Sequence, residues 1–202
     1  MSFPKLHPHP RYNELRSWLQ SHVALLRPWS GFLFRFQTVE FPTPQDVLNG
    51  FGARLRGGRW NPPGVATVYG STTDTIALEE CKAHDRYYGV ITKTPRLLVT
   101  VEANLKRVLD LTDASTRRQL GVTLTELAAE DWRKLSESGQ ESFTQALGRA
   151  LARVGASGLL ARSTAVTRGI NVVIYRTGRS ATDQLSVVEG EKLQRLTIKT
   201  KT

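Results

Sequence analysis

The chain has one cysteine, Cys81, and one methionine in 202 residues. A lone cysteine excludes an internal disulfide framework and a cysteine-based zinc site, and it fits a reducing, cytoplasmic setting. No apolar run approaches the ~20 residues that a membrane-spanning helix needs. The first residues, MSFPKLHPHPRYNELRSW, lack the basic flank and apolar core of a secretory signal. The expectation is a soluble cytoplasmic chain with no membrane partner. Acidic residues are also scarce, 18 against 28 Lys and Arg, for a net charge of +10. That surplus favours a polyanion, an acidic protein or a phosphate-bearing small molecule. The basic residues are spread along the chain, and only the tail EKLQRLTIKTKT is locally basic. There is no zinc-finger spacing, aromatic RNA-binding signature or basic heptad region. No glycine fingerprint of a recycled dinucleotide follows a strand, and no metal-ligand cluster is visible, so neither such a cofactor nor a metal is expected.

At 40% hydrophobic and 23% charged residues, the composition is that of an ordinary globular protein, and the length suits one domain. Residues 1–10, with three prolines and two histidines, are expected to be ordered only if docked. Leu15, Trp18, Leu19, Val23 and Leu26 recur at helical spacing, predicting an amphipathic helix over residues 12–26. Residues 31–37, GFLFRFQ, alternate as a strand, with Phe32, Phe34 and Phe36 on one face and Arg35 on the other. Further strands are predicted at 65–69, 97–103, 107–111, 158–163, 171–175 and 184–188, and helices at 113–120, 123–135 and 141–154. Strands and helices mixed without regular alternation predict a single α+β domain with a mixed sheet and flanking helices.

Two stretches stand out chemically. In GGRWNPPG, residues 57–64, glycines and prolines constrain a loop that presents Arg59 and Trp60. In STTDTIALEECKAH, residues 71–84, Ser71, Thr72, Thr73 and Asp74 are candidate caps for a following helix. On that helix Glu79 falls with Lys82 and Arg86 and is explained as a solvated residue. Glu80 instead shares the stripe of Ile76, Ala77 and His84, where a carboxylate needs hydrogen-bond partners to offset its desolvation. Arg59, Tyr69 and Glu80 come from a rigid loop, a strand end and the first turns of that helix, a junction able to gather them at one cleft.

The segments GGRWNPPG, VYGS, ALEECKAH and GLLARSTAVTRGINVVIY, in that order, resemble the RES-domain proteins, a family named for Arg, Glu and Ser. Its members are typically toxins of bacterial RES–Xre type II toxin–antitoxin pairs. Arg35 in LFRF matches an arginine near the start of the family's domain, and LDLTD and DW fit in order. The resemblance covers roughly residues 30–190, leaving residues 1–27 as an N-terminal extension with one helix and 28–202 as the RES domain.

The resemblance implies a fold like that of ADP-ribosyltransferase toxins and cleavage of NAD at the nicotinamide–ribose bond, with NAD consumed as substrate. Glu80 then stabilises the oxocarbenium-like charge on the ribose, and Arg59 meets the pyrophosphate through its planar fork. Tyr69 offers a ring or hydroxyl to the nicotinamide–ribose end, and Ser163 donates to a phosphate or ribose oxygen. Arg35, Trp60 and Ser71 complete the expected NAD-binding set. The implied partner is a helix-turn-helix, Xre-type antitoxin, with nucleic acid reached only through it; a homo-oligomer stays open. The acceptor of the ADP-ribose (water, phosphate or a protein side chain) is not decided. The alternatives are a mono-ADP-ribosyltransferase acting on one protein, and a non-catalytic basic module that binds nucleotide or nucleic acid.

Each residue also has a plainer reading. Arg59 could bond loop carbonyls, Glu80 could pair with Arg35 or Arg59, Tyr69 could close the core and Ser163 could brace a turn. Trp60 packs the loop or walls the pocket, His84 packs within its helix, and Cys81 is a small buried hydrophobe.

Overall fold

The computed structural model describes residues 3–89, 95–177 and 181–193; the end of the basic tail lies outside them. Six strands form one sheet: β1 (Leu26–Thr38), β2 (Thr67–Ser71), β3 (Arg96–Asp110), β4 (Gly158–Arg162), β5 (Ile170–Tyr175) and β6 (Gln184–Val187). Their order is β1-β2-β5-β4-β3-β6, and because β1 also pairs with β3 the sheet curls back on itself. All neighbours are antiparallel except β3 and β4. The expected α+β domain is present.

The curl gives the sheet two apolar faces. Its inner face gathers Leu33, Val68, Val99, Val101, Leu105, Val108, Leu160, Val172 and Ile174. Its outer face carries Leu109, Leu111, Leu159, Ala161, Val173 and Tyr175 against helices. These helices are α1 (Tyr12–Ser21), α5 (Ala114–Leu120), α6 (Leu124–Ala129) and α8 (Phe143–Arg153), while α7 (Trp132–Glu137), between α6 and α8, has no buried residue. Alternate residues of a strand point to opposite faces, so two cores follow directly from strands apolar on both sides. Helix α1 is part of the outer core through Leu15 and Leu19. The N-terminal segment docks as well: the His7 amide donates to Gly139, and the Glu141 amide to His7. Glu141 is buried, pairs with Arg149 at 2.6 Å, and accepts from the His9 amide.

Several sequence expectations are corrected. Residues 97–103 and 107–111 belong to one strand, since β3 pairs with β1 from Thr38↔Arg96 to Leu26↔Leu109; polar Asn104 and Lys106 alternate outward and do not mark a turn. The helix expected over 123–135 is two, because Asp131 accepts from the amides of Arg133 and Lys134 and so starts α7 afresh. Helix α1 stops at Ser21, followed by a 3-10 turn at Val23–Leu25. Helices α2 (Pro44–Leu48) and α3 (Phe51–Arg56) escaped the periodicity reading because each is too short to show it. On β1 it is Leu33 that is buried, while Phe32 is 52% exposed; the expected phenylalanine face looks away from the inner core.

Helix α4 (Asp74–Tyr88) leads from β2 across the outer face beside β1. Thr73 caps its start by accepting from the Ile76 amide, and Gly89 ends it in the left-handed region at φ 60°. Among the described residues no helix is long and apolar enough to cross a membrane.

Candidate active site

Residues 58–61 form a tight reversal closed by two backbone bonds, Gly58 N to Asn61 O at 2.9 Å and Asn61 N to Gly58 O at 3.3 Å. Side chains from three other elements fasten it. The Tyr69 hydroxyl donates to Asn61 Oδ1 at 2.7 Å and accepts from the Trp60 amide at 3.0 Å. From α8, Gln145 Nε2 donates to the Gly58 carbonyl, and from β5 the Tyr175 hydroxyl donates to the Trp60 carbonyl. Asn61, fully buried, donates to the carbonyls of Ala53, Pro62 and Val65. The glycines are required here: Gly57 has φ 77°, and a Cβ on Gly58 would sit 2.6 Å from the Tyr69 hydroxyl.

This bracing aims the two loop residues in different directions. Trp60, 5% exposed, enters the outer core, which removes it from the expected NAD-binding set as a pocket wall. Arg59 stays half-buried, with Nη1 donating to the Leu127 carbonyl at 3.3 Å. Burial, and then the positive charge of Arg133, hold its pKa below the ordinary arginine value, while Glu80, Tyr69 and Asp131 act in the opposite direction. Tyr69 is pushed well above the ordinary tyrosine range by burial. Both hydroxyl functions of Tyr69 are engaged in the loop, so only its ring remains for a ligand.

Glu80 is the centre of the second half of the site. Its Oε1 accepts from Ser163 Oγ at 2.7 Å and from Asn171 Nδ2 at 2.6 Å. Asn171 Oδ1 in turn accepts from Ser71 Oγ at 2.8 Å, and Ser71 faces Asn171 across β2 and β5. Ser163 accepts from the amides of Ala165 and Val166, both at 3.0 Å, so its single proton is committed to the carboxylate. The network converges on the carboxylate: Ser71 donates to Asn171, and Asn171 and Ser163 both donate to Glu80. Oε2 of Glu80 accepts no bond from the described residues. One oxygen is clamped and the other is not.

The structure thus brings Arg59, Tyr69, Ser71, Glu80 and Ser163 to the outer face of the sheet. It does not bring Arg35 there. Arg35 lies on the inner face, donating to the Val47 carbonyl at 2.9 Å and to Gln37, and burial lowers its pKa to about 10. Strand alternation decides this: Phe34 faces Ser71, so its neighbour Arg35 must point the other way. His84 is exposed and rests on Tyr88, and Glu79 pairs with Lys82 in solvent. Cys81 is half-buried against Arg96, not sunk in the core. Asn171 and Asn61 were missed by sequence reasoning. Asn171 had a signal: on residues 171–175 it shares the period-2 face of Val173 and Tyr175, where a polar group needs a partner.

A curled mixed sheet with a clamped carboxylate and a braced arginine on its outer side defines a small α+β domain. The chain belongs to the RES-domain family, whose model, "RES domain", matches residues 33–196. Among solved structures it is similar to a chain of the M. tuberculosis MbcT–MbcA toxin–antitoxin complex, at 23% identity and a TM-score of 0.66, over 91% of this chain and 99% of that one. That likeness is one of fold. No curated protein matches the chain.

Proposed function

We propose that this RES-domain protein is a toxin that consumes NAD by cleaving the nicotinamide–ribose bond, passing the ADP-ribosyl group to water or phosphate. The observation that carries this reading is the clamped carboxylate of Glu80 with one oxygen open. In NAD cleavage the bonding pair leaves with the nicotinamide nitrogen, which becomes neutral without taking up a proton. Positive charge develops on the ribose, and the acceptor oxygen then bonds to the anomeric carbon and loses its proton to solvent. A site for this step needs no strong acid. It needs a fixed negative charge beside the ribose, and preorganised charge costs little reorganisation at the moment of reaction.

Ser163 and Asn171 supply that preorganisation by holding Oε1, while Oε2 is available to the sugar and to a ribose hydroxyl. Arg59 supplies the cation for the pyrophosphate. Ser163, with its proton on Glu80 and no histidine or carboxylate acting on it as a base, positions the carboxylate and does not attack. The family, and the toxin–antitoxin complex to which the fold is similar, support a toxin restrained by an antitoxin; we take the toxin to be cytoplasmic and the antitoxin to be of the helix-turn-helix type, which the +10 charge would attract if its surface were acidic. Incubating the pure chain with NAD, with and without inorganic phosphate, and following free nicotinamide by chromatography tests the reading. Release at a steady rate, lost in Glu80→Gln, is expected. No nicotinamide under either condition would overturn it.

A further inference from the structure

The phenylalanine face of β1 has no part in the site. Phe32, Phe34 and Phe36 stand opposite Glu102, Thr100 and Leu98 of β3. Beyond β3 the face continues through Ser186, opposite Glu102, and Val188, whose amide donates to the Thr100 carbonyl. Residues level with one another on neighbouring strands share a face, so these form one surface across three strands. The opposite surface of the same strands is the inner core, where Leu33, Val99, Val101, Leu185 and Val187 meet Val47 and Leu48 of α2. Phe32, Phe34, Phe36, Leu98 and Val188 belong to neither apolar core. Phe32 is 52% exposed, Leu98 46% and Val188 43%.

Helix α4 borders this surface. Its Cys81 and Asp85 bond Arg96 at the start of β3, and Leu78, exposed, lies one turn before Cys81 on the same flank. Glu80 is on the other side of the helix, turned to Ser163 and Asn171. By strand rise and spacing, with α4 alongside, the surface measures about 25 Å by about 25 Å. That is of the order of the ~800 Å² that each partner gives to a standard interface, and isolated domains rarely leave so large an apolar patch bare. Its charge identifies the occupant. The chain carries +10 overall, yet the charged groups here are Arg96 bound by Asp85, Glu102 on the row of Phe32, and Lys106 two rows further, and they cancel. An acidic partner drawn by the surplus charge gains nothing from a neutral face. A second copy of the chain, itself +10, is repelled by most of the surface and can approach here.

We propose that the exposed face of β1, β3 and β6 is the surface through which two copies of this chain associate. The pair is two-fold symmetric, as contact of one patch with itself requires, with the Phe32, Leu98 and Val188 side chains of both copies at its centre. Because the partner lies on the flank of α4 turned away from Glu80, the carboxylate stays reachable in the pair.

Sedimentation equilibrium on the full chain tests this, at about 0.15 M salt and at higher salt. A wild-type dimer is expected, tightening as salt rises and screens the repulsion between the copies. Phe32→Asp and Val188→Asp should each weaken it about 100-fold or more, since each substitution places a charge in the contact twice. Val23→Asp, at an exposed apolar residue ahead of β1 and off this face, should leave it within about twofold. Both test positions are exposed, so thermal melts should stay near wild type. Leu98→Thr, which keeps a β-branched side chain, serves if an aspartate variant loses its cooperative melt, with about 10-fold weakening expected. A wild type that stays monomeric up to about 0.1 mM overturns the proposal, whatever its activity on NAD. So does a dimer that the Phe32, Leu98 and Val188 variants leave intact, or one that Val23→Asp weakens equally.

Discussion

Removing the side chain of Asn171 should cripple the site without touching any residue expected to meet substrate. Asn171→Ala deletes the 2.6 Å bond to Glu80 Oε1 and leaves the hydroxyl of Ser71, 3% exposed, without its acceptor. Glu80 would then be held by Ser163 alone. A hydrogen bond to a charged group is worth about 1.5–3 kcal/mol, and if that energy is spent on placing the carboxylate for the transition state, kcat/KM falls about 10- to 150-fold. The fall should lie in kcat more than in KM, because Arg59, the proposed pyrophosphate ligand, is undisturbed. Asn171→Asp is a sharper perturbation. It keeps the acceptor for Ser71 but sets a carboxylate against a carboxylate at hydrogen-bond distance. Such a pair retains a proton that a single carboxylate would lose, so activity should rise as pH falls, a dependence that Asn171→Ala lacks. Nicotinamide release measured across pH, with thermal melts to show that the fold persists, is the assay. Wild-type kcat/KM in Asn171→Ala, or full activity of Asn171→Asp at neutral pH, would show that Glu80 does not depend on this clamp.

Glu80→Gln should abolish nicotinamide release while melting like wild type, whereas Glu79→Gln, which loses only a solvent-exposed pair with Lys82, should keep its activity; the reverse pattern would exchange their roles. Gly148→Ala on α8 should destabilise by roughly 1–3 kcal/mol, because its Cβ would lie 1.8 Å from the Trp60 carbonyl oxygen; a calorimetric Tm lowered by about 3–10 °C is expected, and an unchanged one refutes the contact. Asp85 binds Arg96 through two bonds of 2.8 Å, and that bonding holds its pKa below the ordinary carboxylate value. Its stabilising contribution is present above the ordinary carboxylate pKa and lost as pH falls through the lowered one. Asp85→Asn should therefore flatten the acid limb of the Tm-against-pH curve, and parallel curves for the two proteins would rule that out.

The sequence by itself determined the fold class, most strand positions, and the singling out of Glu80 over Glu79. These are local matters. Strand alternation, helix period and the turn chemistry of Gly57 to Gly64 are written in neighbouring residues, and a carboxylate on an apolar stripe is conspicuous wherever the helix is placed. The resemblance to the RES-domain family also marked Arg59, Tyr69, Ser71 and Ser163 as site residues. What each of them does was decided by tertiary structure. Tyr69 and Ser163 turned out to spend their hydroxyls on the loop and on Glu80, because their partners Asn61, Trp60 and Glu80 arrive from other elements. Trp60 and Arg35 left the site for the same kind of reason. Which way a loop residue turns depends on what anchors it, here Gln145 and Tyr175, and which face of a curled sheet a strand residue occupies depends on the register with its neighbours. Asn171 was legible only as a polar group needing a partner; that the partner is Glu80, 91 residues earlier, required β5 and α4 to be brought together. Sequence records which groups must be satisfied, and only the packed chain decides by whom.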